Sequence, residues 1–263
     1  MKKKLLIIKD KKELDLNVDG FIIGVDKLSI NLPIYFSIDE TIEIIEYCNK
    51  NNKEIFISLN KNMHNKDLDY LKAVLLKLNN YNIKGVLFYD ISIVNLKDKL
   101  GLKYDLVWNQ EHLTTNYFTC NYWNEKGVNY AYLSSEITIE EVNEIRKNTN
   151  MILMYNVFGY LPMFASRRHL VKNYLDTFNL KGEDNYFIRL KDKKYKIIDN
   201  ENGTIAYSNY VLNIIDDIDS IDVDYVVYNS LMIDDIIDVL NGNIKYEKEV
   251  GFAYAETIYK VKK

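Results

Sequence analysis

The sequence predicts an α/β fold of the TIM-barrel-like kind, an irregular β/α barrel with a small β-rich insertion between its seventh and eighth strands. Three observations carry this. Eight short apolar runs are spaced along the 263 residues, helical periodicity fills several of the intervals, and the long interval before the last run reads as antiparallel strands. Eight parallel strands is the number that closes such a barrel, and the length suits one domain over residues 1–263.

Leu5–Ile8 is the first strand, and Phe21–Val25 the second; the link from Lys9 to Asp19 is too short for a full helix, so the barrel is expected to be irregular there. Ser37 and Glu40 have capping-box spacing ahead of a helix over Ile38–Asn49. Strand Ile55–Leu59 leads to a helix over Lys66–Asn80, and strands Gly85–Tyr89 and Tyr104–Trp108 to a helix over Thr115–Lys126. Strand Tyr130–Leu133 precedes a second capping box, Thr138 with Glu141, a helix over Ile139–Asn148, and strand Ile152–Val157. Gly159 and Pro162 then read as a turn. Tyr186–Leu190, Lys194–Ile198 and Thr204–Tyr207, divided by turn-forming Gly182-Glu-Asp-Asn185 and Asn200-Glu-Asn-Gly203, make the insertion at about residues 180–208; Tyr225–Tyr228 is the eighth strand. No fixed period recurs, which argues against a repeat architecture.

Hydrophobic residues at 48% and charged residues at 27% describe an ordinary globular chain. No apolar run is long enough to span a bilayer, and four apolar residues after Met1-Lys-Lys-Lys4 are too few for a signal-peptide core; a cytoplasmic protein with no membrane partner is expected. Cys48 and Cys120 are the only cysteines, both in helix-like segments, which fits a reducing compartment and leaves too few thiolates for an ordinary iron–sulfur cluster. His64, His112 and His169 are far apart in sequence, so no metal site is expected. A net charge of −4 weighs against tight autonomous binding of nucleic acid, although a local basic face stays open.

Function in a parallel barrel sits at the carboxyl ends of the strands. The residues there are Asp26, Asn60, Asp90, Asn109-Gln-Glu-His112, Ser134-Ser-Glu136, Tyr155-Asn156 and Asn229-Ser230, a polar set suited to a small ligand. Asp90 and Asn60 also read as helix caps, and Glu136 as a carboxylate favoured at a helix N-terminus. Of Glu111 and His112 only one can line a pocket, since strand neighbours point to opposite faces. Tyr117, Phe118, Tyr122 and Trp123 pack a helix on the barrel or offer rings for stacking. The chain has four arginines, and two of them, Arg167 and Arg168, stand side by side before His169. They read as solvated charges at a helix start or as a receptor for a carboxylate or phosphate. No Gly-x-Ser-x-Gly elbow and no Gly-rich phosphate loop is present.

Trp108-Asn-Gln-Glu-His-Leu-Thr-Thr-Asn-Tyr-Phe-Thr-Cys-Asn-Tyr-Trp-Asn-Glu-Lys-Gly127, Leu133-Ser-Ser-Glu-Ile-Thr138, and Gly159-Tyr-Leu-Pro-Met163 with Ser166-Arg-Arg168 resemble the U32 "collagenase-like" peptidase family. Within it they are similar to the short Firmicute-type members implicated in tRNA hydroxylation. The likeness continues through Asp199-Asn-Glu-Asn-Gly-Thr204 and Gly251-Phe-Ala-Tyr-Ala-Glu-Thr-Ile-Tyr259. The resemblance implies a barrel and oxygen-independent hydroxylation of tRNA wobble uridine, ribosomal RNA or a ubiquinone precursor, with prephenate as a co-substrate of the RNA reactions. It also implies, for many members, an iron–sulfur cluster on cysteines after the seventh strand. Here His169 stands about where the first of those cysteines falls, and the others have no counterpart, so no intrinsic cluster is expected.

The leading reading is therefore a protein of tRNA wobble-uridine 5-hydroxylation, binding tRNA and working with a longer, cluster-bearing U32 paralogue. Two alternatives stay open: a U32-type peptidase, and a non-catalytic scaffold or RNA-docking subunit. The candidate catalytic residues are Glu111, Glu136 and His169, and the candidate substrate-binding residues Arg167, Arg168, Asn109, Asn116, Tyr155 and Ser166. The paired guanidinium groups suit the two carboxylates of prephenate or an RNA phosphate.

Overall fold

A computed structural model describes residues 2–110, 112–183 and 185–255. Eight parallel strands form the barrel: β1 (Lys3–Ile7), β2 (Gly20–Val25), β4 (Glu54–Leu59), β5 (Gly85–Phe88), β6 (Asp105–Trp108), β7 (Tyr130–Tyr132), β8 (Ile152–Ser166) and β12 (Tyr225–Asn229); β3 (Tyr35–Phe36) adds a two-residue pairing to β2. The barrel closes because β12 pairs with β1 on one side and with β8 on the other, Tyr225 standing opposite both Lys3 and Met154. Around it lie α1 (Ile38–Lys50), α2 (Leu68–Leu78), α3 (Ser92–Leu100), α4 (Tyr117–Glu125), α5 (Ile139–Asn148) and α7 (Ile236–Leu240). Both capping boxes form, Ser37 with Glu40 and Thr138 with Glu141. The short first connection holds only a 3₁₀ turn, Lys11–Asp15, where a helix would not fit.

Alternation along each strand divides the apolar residues between two cores. Leu5, Ile22, Phe56, Leu87, Val107, Tyr130, Met154, Tyr225 and Val227 fill the lumen, whereas their neighbours Leu6, Ile23, Ile57, Val86, Leu106 and Val226 meet the helices outside. Phe56 packs edge-on against Tyr130 and Tyr225 in the lower lumen, and Glu54 accepts a hydrogen bond from Tyr225 at 2.8 Å while pairing with Lys3. The lower lumen is therefore filled by side chains, and the polar residues that end the strands surround the cavities at the opposite, carboxyl end.

The seventh barrel strand runs far past Val157. Gly159, with φ at +122°, lets β8 leave the barrel: a Cβ there would lie 2.6 Å from the carbonyl oxygen of Asn229. Beyond it β8 turns antiparallel partner to β11 (Gly203–Asn213), which pairs with β10 (Lys193–Asn200) and then β9 (Tyr186–Leu190). The sequence suggests a turn at Pro162, but the strand continues, because Pro162 sits where the β8–β11 register shifts and the ladder does not need its missing N–H. Helix α6 (Leu170–Phe178) covers one face of this insertion, held at its start by Thr204 and Asp199.

Candidate functional site

Two adjoining cavities open at the carboxyl ends of the strands, an inner one of about 60 Å³ and an outer one of about 320 Å³. They share Asn31, Asn60, Asn109 and His112. Among the polar groups of the inner wall carboxamides are the most frequent: Asn60, Asn109 and Asn229 arrive from the ends of β4, β6 and β12, and Asn156 from the barrel portion of β8. Three of them are fixed in orientation. Asn60 Oδ1 accepts from the Ile30 N–H and Asn229 Oδ1 from the Leu231 N–H, both at 2.9 Å, which leaves their amide N–H groups as donors for a ligand. Asn156 accepts from the Tyr132 hydroxyl at 2.6 Å and donates to Ser135 Oγ at 2.9 Å. Ser58, 1% exposed, lines the inner cavity with its Oγ unpaired among the described residues.

His112 and Glu136 meet on the rim, Nδ1 to Oε1 at 3.0 Å, and both face the inner cavity. Ser134 Oγ accepts from the Glu136 N–H at 3.1 Å and holds the carboxylate's backbone. The arrangement is a histidine and a carboxylate in hydrogen-bond contact beside a polar pocket, a pairing able to move a proton.

The outer cavity has one cationic side chain among the described residues of its lining. Arg167 lines it beside Ser166, donating from Nη1 to the Asn62 carbonyl at 2.8 Å and reaching the Asp67 carboxylate at 3.5 Å. Behind lies Lys61, 7% exposed, whose ammonium donates to the Lys27 carbonyl at 2.8 Å and to Asn202 Oδ1 at 3.4 Å. Burial pushes the Lys61 pKa below the ordinary lysine range, and the Arg167 charge pushes the same way. Desolvation alone would raise the Asp67 carboxyl, but the His64 N–H bond and the Arg167 and Lys61 charges outweigh it and leave it lowered. Asn202, 5% exposed, lines the outer cavity with its Nδ2 unpaired among the described residues. A buried donor without an acceptor beside two cations suits an anionic ligand.

Of the residues singled out from the sequence, Asn109, Glu136, Ser166 and Arg167 line this continuous cleft. Others lie elsewhere. Tyr155 turns outward, 1% exposed in the helix-side core, and its hydroxyl donates to the Ile137 carbonyl at 3.1 Å; its neighbour Asn156 takes the lumen position. Asn116 is the N-cap of α4, accepting from the Thr119 N–H at 2.9 Å. Arg168 is exposed, lines neither cavity and has no acidic partner for its guanidinium among the described residues. His169 bonds Asp199 at 3.1 Å, in a separate depression against α6. Glu111 lies outside the described residues. The sequence reading passed over Lys61 and Asn202; Lys61 directly follows a strand-end asparagine, but nothing local marks Asn202, which the insertion carries to the cleft.

The model of peptidase family U32 matches residues 11–234. The chain belongs to peptidase family U32. This U32 chain is 27% identical over 236 residues to tRNA hydroxylation protein P2 of Bacillus subtilis (strain 168), covering 84% of this chain and 76% of that protein. It is 21% identical over 140 residues to tRNA hydroxylation protein P1 of the same organism, covering 53% of this chain and 33% of that protein. A solved U32 peptidase superposes with a TM-score of 0.59 at 13% identity, over 87% of this chain and 92% of its own, a likeness that shows the fold alone.

The donors of this U32 chain do not fit an iron–sulfur cluster. Cys48 and Cys120 are buried inside α1 and α4, where burial pushes both thiols up to about 12. Among the described residues no group of three or more His, Cys, Asp or Glu side chains is placed to hold a metal ion, and no helix is long and apolar enough to cross a membrane.

Proposed function

We propose that this chain takes part in tRNA wobble-uridine 5-hydroxylation, and that the cleft at the barrel mouth binds a small organic anion with carboxylates, of which prephenate is the type. The observation that carries the reading is Arg167 on the wall of the outer cavity, with Lys61 buried behind it and the Nδ2 of Asn202 unpaired among the described residues, where the outer cavity adjoins the inner one. Kinship with two differently named tRNA hydroxylation proteins supports the RNA reaction and a division of labour between paralogues.

In this reading Arg167 takes one carboxylate, and the N–H groups of Asn60, Asn109 and Asn229 hold the polar atoms that reach the inner cavity. Glu136 with His112 is placed to take or give a proton at a group bound in the inner cavity. The redox partner is a longer U32 paralogue that carries the cluster, since the thiols here are buried and protonated. Peptide hydrolysis is less well supported. Ser134 Oγ accepts from the Glu136 N–H and Ser135 Oγ from the Asn156 amide, and among the described residues neither serine is hydrogen-bonded to His112 as a nucleophile–base pair would be.

The test is to delete the gene and measure 5-hydroxyuridine-derived nucleosides of tRNA by mass spectrometry, complementing with the wild type and with Arg167→Ala. Loss of the nucleosides, restored by the wild type alone, is the expected result. Unchanged levels in a strain that keeps the longer paralogue but has no enzyme redundant with this chain would overturn the proposal.

A further inference from the structure

The insertion sheet has two faces, and the pairing register says which way each looks. Ala165, Ile205 and Ile198 stand side by side across β8, β11 and β10, and Ala165 and Ile205 are walls of the outer cavity. Two and four residues back along β10, on the same face, come Lys196 and Lys194, opposite Phe187 and Arg189 of β9. The reverse face holds Asp199 and Thr204, which bind the first turn of α6. The face bearing Phe187, Arg189, Lys194 and Lys196 is therefore continuous with the wall of the cleft.

Its chemistry differs from that of the rest of the chain. Residues 186–198 carry five cationic side chains and one acid, in a protein of net charge −4. None of Arg189, Lys194 and Lys196 has a carboxylate partner among the described residues; Lys196 bonds only the amide of Asn185. The ammonium groups of Lys194 and Lys196 stand 5.7 and 5.1 Å from the centre of the Phe187 ring, which is 48% exposed. Unpaired cations around an exposed ring make the surface that takes a phosphodiester backbone together with an unstacked base.

We infer that the β9–β10 ribbon is the docking surface for a looped, single-stranded segment of the RNA substrate, with phosphates on Arg189, Lys194 and Lys196 and a base stacked on Phe187. The inference rests on the tRNA reading above and adds where and how the RNA is held.

The test is binding of an unmodified tRNA transcript with a wobble uridine, followed by fluorescence anisotropy across a salt series. It compares the full chain with the Arg189→Ala/Lys194→Ala/Lys196→Ala triple variant and with Phe187→Ala, each checked by circular dichroism and thermal melting. The triple variant is expected to bind at least tenfold more weakly and to flatten the salt slope by about two, from roughly 0.7 for each single-strand phosphate contact. Phe187→Ala is expected to lose roughly tenfold with the slope unchanged. Wild-type affinity in the triple variant, or its loss of binding to phosphatidylserine vesicles but not to tRNA, overturns the docking surface and leaves the tRNA reading standing. A wild-type chain that binds no tRNA overturns the surface, and unchanged tRNA nucleosides on gene deletion separately overturn the reading beneath it.

Discussion

His112 Nδ1 and Glu136 Oε1 lie 3.0 Å apart although 24 residues separate them, because β6 and β7 are parallel neighbours whose following loops rise on the same rim. In Glu136→Gln the side-chain shape and the Ser134 bond to its backbone stay, while the carboxylate goes. Acid–base groups contribute roughly 100-fold or more to rate, so complementation with this variant should leave tRNA hydroxylation about two orders of magnitude slower. tRNA affinity should stay within about twofold. Wild-type nucleoside levels in the complemented strain would remove the pair from the chemistry.

Arg167 and Arg168 should separate in function despite adjacency. Arg167 is in the cleft wall and Arg168 in solvent. A charge-assisted hydrogen bond is worth about 1.5–3 kcal/mol, roughly 10- to 150-fold in affinity. Isothermal titration with a dicarboxylate such as prephenate should show a loss of that size for Arg167→Ala and less than about twofold for Arg168→Ala. Equal losses would mean that both guanidinium groups reach the ligand.

Binding of the same anion should weaken with rising pH earlier than an ordinary lysine would cause. Burial, with the Arg167 charge, lowers the Lys61 pKa, so the ammonium is lost as pH rises through a value below the usual lysine range. The sign for folding is opposite: the unfolded chain holds this proton more tightly, so the stability that Lys61 withholds is regained as pH rises from the lowered folded value to the ordinary lysine value. In Lys61→Arg the decline in anion affinity should disappear from the alkaline range, and in Lys61→Met affinity should be low and flat. A pH profile identical in all three proteins would take Lys61 out of the site.

Neither cysteine should behave as a ligand or nucleophile. With both thiols pushed to about 12, iodoacetamide at pH 8 should leave Cys48 and Cys120 unmodified in the folded protein and alkylate both in urea, as mass spectrometry can count. Chain purified without oxygen from cells rich in iron and sulfide should carry no stoichiometric iron. Rapid labelling of the native protein would show that one helix opens to solvent.

Much of the scaffold was legible because its causes are local. Ser37 with Glu40 and Thr138 with Glu141 cap helices wherever the chain places them, and alternation in Phe56-Ile57 or Val226-Val227 marks a strand packed on both faces. The helix Ser92–Leu100 escaped notice because only Ile93 and Leu96 are buried, too narrow a stripe to stand out from the polar residues around it. Gly159 and Pro162 carried a turn signal, yet Gly159 serves a close backbone approach and Pro162 fills a break in a ladder, uses that exist only once β11 and β12 are in place.

By itself the sequence determined the eight strands, the β-rich insertion before the last of them, and the polar residues that end each strand. It also determined that one of each adjacent pair must face inward. Which one was a tertiary decision: the shared register of β7, β8 and β12 turned Asn156 into the lumen and Tyr155 out, and the exit of β8 at Gly159 brought Arg167 rather than Arg168 to the cleft. Strand periodicity fixes alternation, but its phase is set by which face the neighbouring strands bury. Asn202 and Lys61 meet across 141 residues for the same reason, since only the closed barrel with its overhanging ribbon puts them on one wall.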